Sequence, residues 1–213
     1  PWNLDEPMPD ANAADRPTVL LILPPPPNLP PMGPAQPPMQ LFRPQHMETL
    51  RQAIDAGTPA MFLAQWFMPF PPRQYQYNQY LQSAWGLTAE TDYMLVPARR
   101  STEQPGKYNL DFLRFSHMPL SNFSDHPIGE PLQGRRLLWT GVCPVRLADA
   151  PPAGVTARPL LTVPASADDT WATSDVRQIF EDMYTGEGGF IQPDYAHGDM
   201  RPPFPVAVTA TRE

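Results

Sequence analysis

The chain has 213 residues, 41% of them apolar, and a net charge of −7. That length fits one large domain or two small ones with a sizeable core, and the negative balance repels nucleic acid, which the small basic pairs Arg99-Arg100 and Arg135-Arg136 cannot reverse. A single cysteine, Cys143, excludes an internal disulfide framework and a cysteine-based zinc site, and the apolar runs 19–23 and 61–64 fall far short of the roughly 20 residues that span a bilayer.

Residues 1–17 are polar and irregular and read as a linker or arm. They lack the basic and apolar regions of a signal peptide, and an initiator Met, so the natural N-terminus is expected upstream. The run 18–23 is apolar and β-branched, the pattern of a strand buried on both faces. Nine prolines follow between Pro24 and Pro38, where no helix can form; a stiff, polyproline-like, exposed loop is expected. Residues 44–56 carry a helix pattern, with Pro44 in the first turn, Met47, Leu50, Ala53 and Ile54 on one face, and Gly57 as a left-handed C-terminal cap. A second buried strand is expected at 60–64, in parallel pairing with the first through a right-handed crossover. A second helix is expected over 76–85, with Tyr77, Tyr80, Leu81, Ala84 and Trp85 inward and Gly86 ending it, then a third strand at 92–96.

Beyond Pro97 the pattern meanders. Strands are expected at 108–115, 136–140, 142–147, 160–163 and 205–210, and a helix at 174–184 capped by Ser174. The last strand stops abruptly at Glu213, consistent with a module cut from a larger protein. Residues 18–213 therefore read as one α/β domain: a mostly parallel open sheet flanked by helices, with added antiparallel strands in the second half.

The order of landmarks resembles the extracytoplasmic auxiliary domain of gliding-motility-type (GldG-like) ABC transport systems, which is related to amidotransferase-like and flavodoxin-like folds. The likeness is carried by the 19–23 strand with its proline turn, the 47–54 helix running into Asp55-Ala56-Gly57, and Asn78-Gln79-Tyr80-Leu81 with Trp85-Gly86-Leu87. It continues in Ser124-Asp125-His126-Pro127-Ile128, the stretch 166–171 and Pro205-Val206-Ala207-Val208. Thr58 and Pro59 stand where that family usually has a double-glycine turn. The resemblance implies a periplasmic domain, anchored through segments outside this chain, that accompanies an ABC permease and an ATPase without catalysis of its own.

An amidotransferase-like fold invites a search for a Cys-His-Glu triad. Cys143 lies in Gly141-Val142-Cys143-Pro144-Val145, which favours extended chain over the sharp nucleophile elbow, so a buried structural thiol is expected and no catalytic residue is assigned. His46, His117, His126 and His197 form no close pair, and neither metal nor cofactor is expected. Asp125 and His126 are candidate contacts, although an Asp in a turn before proline commonly bonds backbone amides. Gly186-Glu187-Gly188-Gly189 lacks the strand, lysine and helix of a phosphate loop. The acidic pairs Asp168-Asp169 and Glu181-Asp182 read as solvated surface. Of the aromatics, Trp66 and Tyr75 lie near element ends and are candidates for ligand contact. Met32 and Met39, with the P-x-x-P spacings of 24–38, are candidates for a partner-facing surface, between copies of the domain or towards the transporter. The rival expectations are a hydrolase whose site is assembled from distant residues, and a carbohydrate- or peptide-binding module using exposed aromatics.

Overall fold

The computed structural model describes residues 19–23, 44–66, 76–111, 114, 118–177, 179 and 190–213. In chain order the elements are β1 (Leu20–Ile22), α1 (Pro44–Asp55), β2 (Ala60–Phe62), α2 (Gln76–Trp85), β3 (Leu87–Ala89), β4 (Met94–Arg100) and β5 (Tyr108–Leu110). There follow β6 (Met118–Leu120), a short 3-10 turn (Glu130–Leu132), β7 (Leu137–Trp139), β8 (Val145–Leu147), β9 (Val155–Val163), β10 (Thr170–Thr173) and β11 (Phe204–Arg212).

The first unit follows its sequence pattern closely. α1 buries Leu50 and Ala53, and its end is closed by Gly57 at φ +94°, with Gly57 N–H donating to Ile54 and Thr58 N–H to Ala53. That is the paired hydrogen-bond pattern of a Schellman cap, which needs the left-handed backbone glycine supplies without strain. β1 and β2 pair in parallel, Leu20 with Ala60, Leu21 with Met61 and Ile22 with Phe62. Ile22, Leu50 and Tyr77 form the centre of this unit, with Leu20, Met47 and Phe62 packed on them.

The expected burial of β1 on both faces is not what is found. Ile22 is buried, but Val19, Leu21, Leu23 and, beside Leu21, Met61 are 59%, 57%, 58% and 50% exposed. Side chains alternate across a strand, so one face of this small sheet meets α1 while the other presents an apolar row.

The expectation of a mostly parallel open sheet flanked by helices is overturned. Among the described residues β1–β2 is the only parallel pair, only two α-helices occur, and the remaining ladders are antiparallel. The physical reason lies at the end of α2. Gly86, at φ +66°, turns the chain at once into β3, which pairs antiparallel with β8 instead of crossing back to the edge of β2. A Cβ at Gly86 would lie 3.1 Å from Pro152 Cδ and 3.3 Å from Ala148 Cβ, so the tight turn also needs a residue without a side chain. Buried Asn78 fixes the arrangement: its amide nitrogen donates to Ala89 O and its amide oxygen accepts from Ala89 N–H, both at 2.8 Å. It stands in for a neighbouring strand. The expected third parallel strand, β4, instead lies between β10 and β5, antiparallel to both.

β4 is the spine of the larger unit. Its first five residues are all buried, with Leu95 facing a cluster of Met118, Val142, Leu161, Val163 and Phe204 and with Met94, Val96 and Ala98 facing Trp171, Ile179 and Ile191. The continuous apolar run thus does mark a strand buried on both faces, but in an antiparallel setting. Arg99 and Arg114 meet Asp111 and Asp169 where β4 leaves the core: Arg99 Nε lies 2.7 Å from Asp111 and Arg114 Nη1 2.8 Å from Asp169. Burial alone would raise the Asp111 carboxyl, but hydrogen bonds from Arg99 and the Arg114 amide hold it below its ordinary value.

Prolines inside strands sit where ladders hand over or slip. Pro97 occupies β4 where its pairing with β10 ends and that with β5 begins, so the missing N–H falls at the handover. Pro159 and Pro205 lie on β9 and β11 beside register shifts, where a bulge removes the need for a ladder donor. The helix expected over 174–184 lies mostly outside the described residues; Ser174, Asp175 and Val176 are not helical.

Leu50 is 3% exposed. Leu50→Ala is expected to cost about 2–5 kcal/mol in chemical denaturation, the range for emptying a core position. Asn78→Ala strands a buried N–H and a buried C=O together. It is expected to destabilise by more than about 1 kcal/mol, whereas Asn78→Ser, which keeps a hydroxyl, should recover part of the loss.

Candidate functional site

Trp66 follows β2 and is half-buried, against the expectation of an exposed ring. Its backbone N–H donates to Gly141 O at 2.6 Å, joining the parallel unit to the loop after β7. Gly141 holds φ +63°, a conformation that favours glycine. At this junction lies a cleft of about 80 Å³ lined by Trp66, Met94, Met118, Trp139, Val142 and the Gly141 backbone. Met94 comes from β4, Met118 from β6 and Trp139 from the end of β7, so the strand ladders determine the spacing of the walls.

The electrostatics of this cleft are simple. None of its lining side chains is ionisable. Trp139 Nε1 is buried and has no hydrogen-bond partner among the described residues. An indole N–H is a donor only, so it awaits an acceptor. Left unmade, a buried donor costs on the order of 1–3 kcal/mol. Two methionines add flexible, polarizable walls that fit irregular shapes. This is an arrangement suited to an apolar group; its lining side chains supply no nucleophile, acid or base.

The other sequence candidates are scattered. Asp125 is exposed in the turn before the 3-10 segment. The amides of that turn are bonded by its neighbours: His126 N–H donates to Ser124 Oγ at 3.4 Å, and Ile128 N–H donates to His126 Nδ1 at 3.2 Å. Asp125 and His126 thus belong to turn architecture and do not line the tryptophan cleft. Tyr75, Met32 and Met39 lie outside the described residues, as do His117, Glu181, Asp182 and 186–189. Asp168 pairs with Arg100, and Asp169 with Arg114, so these acids tie the start of β10 to neighbouring chain. His197 lies 2.6 Å from Asp194 in an exposed turn, and His46 is buried on α1. No cluster of three or more metal-ligating side chains occurs among the described residues.

Three helical aromatics have structural partners. Tyr77 is buried and its hydroxyl donates to Leu63 O at 2.8 Å; Trp85 Nε1 donates to Tyr80 Oη at 3.0 Å; and the Arg212 guanidinium stacks over the Trp85 ring at 4.5 Å. Trp139 is the residue that sequence reasoning missed. It ends the run Arg136-Leu137-Leu138-Trp139, where alternation marks a strand but carries no sign of which neighbours will leave its N–H unpaired.

Cys143 is 3% exposed, and burial, with the nearby Glu90 charge, pushes its thiol up to about 12. Cys143 should resist alkylation by iodoacetamide in the native protein and react on denaturation. The folded thiol stays protonated where the unfolded one ionises. Its stabilising contribution is therefore complete below about pH 9 and is lost as pH rises towards about 12; Cys143→Ala should flatten that part of the stability–pH curve.

No family model, curated protein or solved structure matches the chain.

Proposed function

We propose that this chain is a non-catalytic binding and coupling domain, and that its partners are the permease and ATPase of a membrane-anchored ABC-type transport system in which it works on the extracytoplasmic side. The observation that carries the binding role is the cleft at Trp66 and Trp139: apolar walls and no ionisable side chain in the lining. Such a site holds a group and does not transform it. The transport setting rests on the ordered landmarks of the sequence, since the α/β fold that the same resemblance implies is not the fold found.

The apolar row of Val19, Leu21, Leu23 and Met61 supports the coupling half of the proposal. Parallel strands are ordinarily covered on both faces, and this face presents four large apolar side chains on a two-stranded frame. A contact surface of that kind joins the domain to another copy or to the transporter.

The test is affinity purification of the tagged chain from its native membrane context after mild cross-linking. Permease and ATPase subunits should be recovered together. Leu21→Glu should leave stability within about 0.5 kcal/mol, because the position is exposed, yet lower that recovery several-fold. Recovery without either subunit would reject the transport assignment.

A further inference from the structure

We propose that the outer edge of β7 takes up an extended segment of a partner protein as an added antiparallel strand, one that sets an apolar residue opposite Leu138 and a carboxylate opposite Arg136. This surface goes beyond the tryptophan cleft. Leu138 and Arg136 lie on the face of β7 away from Trp139, and neither lines the cleft.

The edge is open for a reason that lies in β6. Leu138 is paired with Pro119, which has no N–H, so the hydrogen-bonded rungs fall at Met118–Trp139 and Leu120–Leu137. The N–H and C=O of Leu138 therefore point away from β6. Among the described residues no strand pairs with that side of β7. Side chains alternate along a strand, and here Leu137 and Trp139 are half-buried while Arg136, Leu138 and Thr140 face solvent. Leu138 is 65% exposed, more than any residue of the apolar row on β1 and β2. An unpaired strand edge with an exposed apolar side chain is the frame of β-augmentation, in which main-chain bonds supply affinity and side chains supply specificity.

Charge selects the occupant. Arg51, Arg99, Arg100, Arg114, Arg146 and Arg212 each hold a carboxylate. Arg135 and Arg136 are exposed and hold none among the described residues. Arg136 shares the solvent face with Leu138, so an antiparallel partner whose apolar residue faces Leu138 brings its next same-face residue opposite Arg136. An acid there forms a cross-strand ion pair, with Arg135 beside it. The same cations reject a basic strand. A second copy of this chain meets the charge poorly. Two β7 edges centred on Leu138 would set Arg136 opposite Thr140 and leave both arginines without a carboxylate.

The probe is a synthetic peptide with blocked termini, Thr-Thr-Val-Thr-Glu-Thr-Thr, titrated calorimetrically into the full chain, with Lys in place of Glu as control. The Glu peptide should bind about three- to tenfold more tightly than the Lys peptide, the effect of exchanging an attractive cross-strand charge pair for a repulsive one. Arg136→Glu should reverse that order. Leu138→Pro removes the outward N–H, a loss that an edge strand tolerates. It should weaken binding of the Glu peptide about tenfold while the melting temperature stays level. Should Leu138→Pro fail to fold, the reversal by Arg136→Glu decides alone. Failure of both peptides to bind overturns the proposal, as does binding that Arg136→Glu leaves unchanged. A dimer of the free chain that Leu138→Pro dissolves overturns it too, in favour of β7 pairing with itself. The titration needs neither permease nor ATPase, so its outcome is separate from that of the transport reading.

Discussion

Backbone donors are the scarce commodity of this protein. Thirty-two of 213 residues are proline, each without an N–H, and no sheet can propagate far through residues that cannot donate. The described strands assemble as four two-stranded ladders and one of three strands. Pro97 lies where one ladder hands over to another, and the irregular register between β9 and β11 falls beside Pro159 and Pro205. Because the ladders are short, side-chain packing has to hold them together. β4 does most of this by burying both faces, with Leu95 in one cluster and Met94, Val96 and Ala98 in the other.

The same scarcity makes single polar contacts important. Asn78 supplies Ala89 with both halves of a strand neighbour that the sheet does not provide. Trp66 N–H to Gly141 O ties the parallel unit to the antiparallel one. At that seam the β6–β7 ladder, with Met118 opposite Trp139, meets β4 and the chain after β2, and they leave a cleft. The unpaired Trp139 indole is a consequence of the same geometry: a wide, donor-only side chain lies where no carbonyl among the described residues reaches it. A binding site at a seam between short ladders follows naturally, since extended sheets leave few such gaps.

Much of the local structure was legible from residue order alone. α1 and its glycine cap, α2 and its end at Gly86, and the parallel β1–β2 pair all appear where periodicity and punctuation place them. These features depend on interactions within a few residues or on one short crossover. The burial of Cys143 was readable for the same reason, from the valines and proline around it. Of the candidate site, only Trp66 was legible. Asp125 and His126 were noticed for their chemistry, but their neighbours' hydrogen bonds absorb them into a turn.

The sequence by itself determined where α1, α2, β1, β2 and β4 lie and where the helices stop, because those choices are set by hydrophobic period, by proline and by glycine; it carried no sign of β3, β6 or β10. Beyond the β1–β2 pair, tertiary structure alone decided how the strands pair. A buried apolar run such as 94–96 looks the same in a parallel and an antiparallel sheet, since side-chain alternation carries no record of the partner's direction. Direction was decided at Gly86, where a one-residue turn and the Asn78 clasp send β3 towards β8 and away from β2. The cleft was decided the same way. Trp66 and Trp139 are 73 residues apart in the chain, and only the packing of β4, β6 and β7 brings them to the lining of one cleft.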